Sequence, residues 1–130
     1  MNIVVDTSAV IAVIANEPEK KRLIELTKGF DLIAPHSVHW EIGNAFSAMF
    51  KRKQVTLEQS KKAIDSYQKI PIRLLETDLI NALELSNRFN IYAYDAYIIS
   101  CALKHNCALI SLDRNLLSSA EEAGAKILEV

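Results

Sequence analysis

Four carboxylates occupy positions where they can do chemistry. Asp6 follows the β-branched run Ile3-Val4-Val5 and stands directly before Thr7, Ser8 and an apolar helical stretch, Ala9 to Ala15. Asp113 follows the apolar run Ala108 to Leu112 in the same way. Asp95 opens a stretch, Ala96 to about His105, that is apolar on nearly every side. Glu41 lies in the first turns of a helical pattern, beside Trp40 and Ile42. Taken singly, each has a structural reading: Asp6, Asp95 and Asp113 suit helix N-caps, and Glu41 suits a solvated helix position. Taken together they suggest another use. Hard divalent cations such as Mg²⁺ and Mn²⁺ take oxygen ligands. Clustered carboxylates repel one another unless a cation sits among them. A bound metal can activate water and polarise a phosphate.

The elements that must position these acids are short strands alternating with helices. Strands are expected at Asn2–Val5, Leu32–Ala34, Ile72–Leu75, Ala108–Leu112 and Lys126–Val130. The first helix runs from Thr7 to about Ala15. A second follows Pro18, which suits a first helical turn, and ends near Lys28, with Gly29 as its left-handed cap. The third covers Ser37 to about Arg52, with Val38, Ile42, Ala45, Phe46 and Met49 on its core face. Thr56 and Gln59 form a capping box for the fourth, to about Lys69. Thr77 caps the fifth, which reaches Phe89. The sixth is the buried stretch after Asp95, and the seventh covers about Leu116 to Ala123, ended by Gly124. This alternation implies an α/β fold with a mainly parallel sheet covered on both faces. In such sheets, ligands bind in the crevice outside the carboxyl ends of the strands, where Asp6 and Asp113 would converge if their strands adjoin.

Bulk properties narrow the class. At 130 residues, half of them hydrophobic, the chain reads as one domain, spanning 1–130, with a sizeable core. A formal net charge of −1 argues against coating nucleic acid by overall charge. Cys101 and Cys107 read as buried free thiols in a reducing compartment. No signal-peptide pattern or membrane-length apolar run is present, so the expected location is the cytoplasm. His36, His39 and His105 read as surface or capping residues. Basic clusters at Lys51, Arg52 and Lys53 and at Lys20, Lys21 and Arg22, together with Arg114 beside Asp113, are candidates for contact with a nucleic-acid backbone as well as for an ordinary solvated surface.

Four segments, in this order, carry a family resemblance: Val4-Val5-Asp6-Thr7-Ser8, Trp40-Glu41-Ile42-Gly43-Asn44-Ala45, Tyr94-Asp95-Ala96-Tyr97-Ile98, and Leu109-Ile110-Ser111-Leu112-Asp113-Arg114-Asn115-Leu116. Over essentially its whole length the chain resembles PIN-domain ribonucleases of the VapC toxin type, from toxin–antitoxin pairs. The resemblance implies a three-layer α/β/α sandwich with a five-stranded sheet of order 3-2-1-4-5. It implies a Mg²⁺-dependent endoribonuclease, with Mn²⁺ as substitute, in which Asp6, Glu41, Asp95 and Asp113 are the catalytic, metal-binding acids. Thr7, Ser8, Asn44, Ser111 and Asn115 would support them. Asn115 replaces a further acid sometimes found in the family, and Ser111 replaces a frequent Thr. Metal-assisted in-line attack of water on an RNA phosphodiester would leave a 5′-phosphate and a 3′-hydroxyl. A cognate antitoxin and a homodimer are the implied partners.

Competing readings meet specific obstacles. A phosphoacceptor receiver domain needs an acidic pair after the first strand, which offers only Asp6. A haloacid-dehalogenase-type phosphatase needs a second Asp at position 8, where Ser8 stands. The alternative that stays open is a non-catalytic PIN-fold binding module acting through protein or RNA partners.

Overall fold

The structure, a computed structural model, describes residues 1–130. Its elements are β1 (Asn2–Val5), α1 (Thr7–Ile14), α2 (Lys20–Thr27), β2 (Asp31–Pro35), α3 (Ser37–Lys51), α4 (Leu57–Gln68), β3 (Ile72–Leu75), α5 (Leu79–Phe89), α6 (Ala93–Lys104), β4 (Ala108–Ile110) and α7 (Arg114–Glu122). The strands form one parallel sheet of order β3-β2-β1-β4. Ile3, Val4, Ile33, Leu109 and Ile110 have no measurable exposure. Strands covered on both faces need apolar side chains at successive positions, which explains the unbroken β-branched runs. One face, through Val5, Leu32, Ile72 and Ile110, meets α1 and α2. Helix α6 packs against β1, β2, β4 and α5. Its buried residues Ala96, Ile98, Ile99, Ser100, Cys101 and Ala102 come from all round the helix, as a helix between layers requires.

The sheet has four strands where five were expected. Lys126–Val130 contributes only a parallel bridge, Ile127 to Leu109, held by Leu109 N–H donating to the Lys126 carbonyl and Leu128 N–H donating to the Leu109 carbonyl, both at 2.9 Å. The reason lies in β4. It stops at Ile110 rather than Leu112, because the amides of Leu112 and Asp113 donate to the Ser8 and Ser111 hydroxyls instead of to a ladder. A three-residue strand leaves little outer edge for a neighbour. The bridge does lie beside β4, the side on which a fifth strand was expected.

Several helix starts also differ from expectation: α2 begins at Lys20, so Pro18 lies in the turn before it and not in its first turn, and α7 begins at Arg114, directly after its cap Asp113. Asp78, not Thr77, caps α5, its carboxylate accepting from Asn81 N–H at 3.1 Å. Both residue types suit a cap, and this register turns Ala82 and Leu85 into the core. Helix α6 begins at Ala93, with extended Tyr92 (φ −75°, ψ 159°) as its cap. Asp95 is therefore in the first turn and is not the cap. Other features match: the Thr56–Gln59 capping box is fully formed, and Gly29 takes the positive φ, 86°, needed beyond α2. Cys101 and Cys107 are free, and burial pushes the Cys101 thiol up to about 12. No helix is long and apolar enough to cross a membrane.

Candidate active site

The carboxyl ends of β1 and β4 are tied together by hydroxyls. Asp6 N–H donates to the Ile110 carbonyl at 3.4 Å, closing the strand pair. Ser111 Oγ donates to Asp6 Oδ2 at 2.7 Å and accepts from Asp113 N–H at 2.9 Å. Ser8 Oγ donates to the same carboxylate, 2.8 Å from Oδ1 and 2.9 Å from Oδ2, and accepts from Leu112 N–H at 3.0 Å. Asp6 Oδ1 also caps α1, accepting from Ala9 N–H at 3.1 Å. Asp6 is thus a helix cap as well as part of the cavity. A carboxylate offers about four acceptor sites; the donors Ser8, Ser111 and Ala9 leave room for one further partner.

A cavity of about 280 Å³ opens beside this network, lined by Asp6, Thr7, Ser8, Glu41, Tyr94, Asp95 and Asp113, with Ile11, Ile98 and Leu116 as its apolar wall. All four sequence-predicted acids therefore border one space. Asp113 additionally caps α7 through Oδ1, accepting from Asn115 and Leu116 N–H at 3.0 and 3.1 Å.

The electrostatics are one-sided. Burial raises the pKa of Asp6, and the Asp113 charge adds to it, against the hydrogen bonds from Ser111, Ala9 and Ser8. Burial raises Glu41 as well, followed by the Asp6 and Asp95 charges, with the Thr7 hydroxyl acting in the opposite sense. Asp95 is raised by burial and then by Asp113 and Asp6. No cation offsets these effects: the molecule's one ion pair, Lys61–Glu58 at 3.6 Å, lies on α4. Thr7 Oγ1 is buried in the cavity wall and makes no hydrogen bond of good geometry.

These donors suit a divalent cation in kind. They are hard oxygens with uncompensated negative charge, beside an orphaned hydroxyl. They are not drawn into a closed cage, since no group of three or more His, Cys, Asp or Glu side chains is arranged to hold a metal ion. Mg²⁺ in turn needs only one or two carboxylates, completing its shell with water and phosphate.

The other predicted residues are dispersed. Ser8 and Ser111 belong to the network, and Thr7 lines the cavity beside it. Asn44 and Asn115 are exposed and do not line the cavity. Lys51 and Arg52 stand at the far end of α3 from Glu41, about 15 Å along the helix at ~1.5 Å per residue. Arg114 lines a different cleft, with Glu19, Glu121 and Glu129. His39 is half-buried with Nδ1 2.9 Å from the Tyr67 hydroxyl, and His36 and His105 are exposed. Tyr94, which lines the cavity, has no place in the sequence-derived site. The signal for it in the sequence is its adjacency to Asp95, and a helix that starts at Ala93 and not at Ala96 brings it into the same first turn.

Comparison with known proteins places this geometry. The PIN domain family matches residues 3–122. The chain is 26% identical over 119 residues to VapC ribonuclease Mb0985 of Mycobacterium bovis and to Ribonuclease VapC9 of Mycobacterium tuberculosis, covering 92% of this chain and 91% of each relative. Its fold is similar to that of PAE2754 from Pyrobaculum aerophilum, with TM-score 0.69, 24% identity, and coverage of 98% of this chain and 92% of the other. It is also similar to a chain of VapBC2 from Rickettsia felis bound to a promoter DNA fragment, with TM-score 0.70, 15% identity, and coverage of 99% and 98%. With a family match across nearly its whole length and its acids at the carboxyl ends of a parallel sheet, the chain belongs to the PIN-domain family.

Proposed function

We propose that this protein is a Mg²⁺-dependent endoribonuclease, with Mn²⁺ as substitute, and the toxin of a toxin–antitoxin pair. The observation that carries the reading is one cavity bordered by Asp6, Glu41, Asp95 and Asp113 with no cation paired to any of them. Burying like charges together opposes folding, and a divalent cation answers that cost. The curated relatives, named as VapC ribonucleases, point to RNA as substrate. The reading carries with it a cognate antitoxin and a second copy of the chain as partners.

Asp6 and Asp95 would be the principal metal ligands, with Glu41 and Asp113 completing the shell directly or through water. A cation bound there supplies an activated water and neutralises charge on the phosphate. The chain's own part is positional. Ser8 and Ser111 fix the Asp6 carboxylate and join it to the backbone that carries Asp113. Thr7 and Glu41 line the same cavity. Ile11, Ile98 and Leu116 limit water on one wall, where lower polarity strengthens each charge interaction.

Cleavage of end-labelled single-stranded RNA, by wild type and by Asp6→Asn with Mg²⁺, Mn²⁺ or chelator, tests the proposal. Metal-dependent cleavage that falls about 100- to 1,000-fold in the variant supports it. Undiminished cleavage by a folded Asp6→Asn contradicts the assigned roles. The alternative, a non-catalytic binding module, predicts RNA retained but never cut.

A further inference from the structure

Tyr94 is the one aromatic residue on the acid cavity, and it is 58% exposed. A scattered exposed aromatic means little, but this one is neither isolated nor loose. Its backbone belongs to the first turn of α6, a helix buried between layers. Its ring meets Tyr97 edge to face, with centroids 5.8 Å apart and planes at 85°. Tyr97 in turn packs against the core. In an edge-to-face pair, one ring presents its rim to the face of the other, so Tyr97 leaves at least one face of this largely exposed ring uncovered whichever ring supplies the rim. Asp95 follows it directly in the chain.

Two other exposed aromatics make the contrast. Trp40 also precedes an acid, Glu41, but it is in edge contact with His39 at 4.8 Å and does not line the cavity. Tyr92 is 89% exposed and lies outside the cavity as well. Only Tyr94 combines an open face, a fixed ring and a place beside the carboxylates.

A fixed aromatic face next to a phosphate-handling site is the surface on which an unpaired base stacks. We propose that Tyr94 is a base-stacking platform: it holds the base of a nucleotide flanking the phosphodiester at the acid cavity. The ring makes the contact and the hydroxyl is dispensable. The base must come from a single strand, because a base inside a duplex has both faces covered by its neighbours in the stack. The proposal rests on the ribonuclease reading and adds to it a residue that selects for unpaired nucleotides.

The test is steady-state cleavage of a single-stranded oligoribonucleotide by wild type, Tyr94→Ala, Tyr94→Phe and Tyr92→Ala, each checked for folding by thermal melting. The measurement is repeated with an abasic nucleotide on either side of the cleaved bond. Stacking on an aromatic ring predicts a loss in kcat/KM of about 10-fold or more for Tyr94→Ala, carried mainly by KM. Tyr94→Phe stays within about 2-fold of wild type because the ring face is kept, and Tyr92→Ala is unchanged. Removing the flanking base costs wild type a similar factor and costs Tyr94→Ala nothing more. A Tyr94 that merely positioned Asp95 would instead make the two losses multiply. Multiplying losses, a Phe variant as poor as Ala, or an Ala variant equal to wild type each overturn the platform. Those outcomes all require an active wild type, so they differ from the failure of the ribonuclease reading, which is a wild type that cuts no RNA.

Discussion

The segment from Val5 to Val13 borders two clefts of opposite character. Val5, Ala9, Val10 and Val13 line an apolar cleft of about 220 Å³ with Leu23, Ile24 and Ile110. Asp6, Thr7, Ser8 and Ile11 line the acid cavity of about 280 Å³. Adjacent residues serve opposite ends because the strand's alternation passes into the helix's 3.6-residue period at Asp6. The apolar side removes hydrocarbon from water and favours folding. The acid side gathers carboxylates whose pKa values are raised by burial and then by one another's charges, and opposes it. Stability and chemistry are thus separated by one turn of chain, and the separation can be tested from both sides.

The largest effect is expected on the acid side. Asp95→Asn lowers metal-dependent cleavage about 100- to 1,000-fold, while its melting temperature holds or rises, because a repelling charge is gone and no hydrogen bond is lost. A clear fall in melting temperature would break the division. On the apolar side, Leu23→Ala costs about 3 kcal/mol of stability, read by urea unfolding. Activity per folded molecule stays near wild type, since Leu23 touches no cavity acid.

Ser111→Ala sharpens the comparison at the point where the two sides meet. The hydroxyl is buried, donates to Asp6 and accepts from Asp113 N–H. Its removal is expected to lower cleavage about 10- to 100-fold, as for other groups that orient metal ligands, and to cost about 1 kcal/mol of stability.

The smallest effect is the pH dependence of stability. Asp6, Glu41 and Asp95 have folded-state pKa values raised above the ordinary 3.8 of Asp and 4.5 of Glu. A raised carboxylate contributes stability below its unfolded pKa and loses that contribution as pH rises through the folded value. The wild-type melting temperature should therefore fall relative to that of Glu41→Gln as pH climbs above 4.5. Added Mg²⁺ should narrow the gap. Parallel melting curves for the two proteins would contradict a Glu41 carboxyl raised by burial and by the neighbouring acids.

Local signals made much of this legible from sequence. The strand-to-cap step at Val5-Asp6-Thr7 is written in consecutive residues, and so is the capping box at Thr56 and Gln59. The convergence of the acids followed from parallel topology, which brings the ends of β1 and β4 side by side. Features that depend on tertiary partners were less legible. The start of α6 looked like Asp95 because Asp is a good cap, whereas the chain turns at Tyr92, which offers no capping side chain. The shortening of β4 depends on hydrogen bonds from residues 112 and 113 to hydroxyls, one of them Ser8, more than a hundred positions away. Arg114 adjoins Asp113 in sequence but lines the acidic cleft on the other side of Ser111. Adjacency in the chain did not reveal the direction of a helix face.

The most direct test of the central claim, that these four carboxylates act as one cation site, is calorimetric titration of Mn²⁺ and Mg²⁺ into wild type and Asp6→Asn. Saturable binding by wild type, abolished or strongly weakened in a folded Asp6→Asn, is the predicted result. Equal binding by both proteins, or none by wild type, would contradict it.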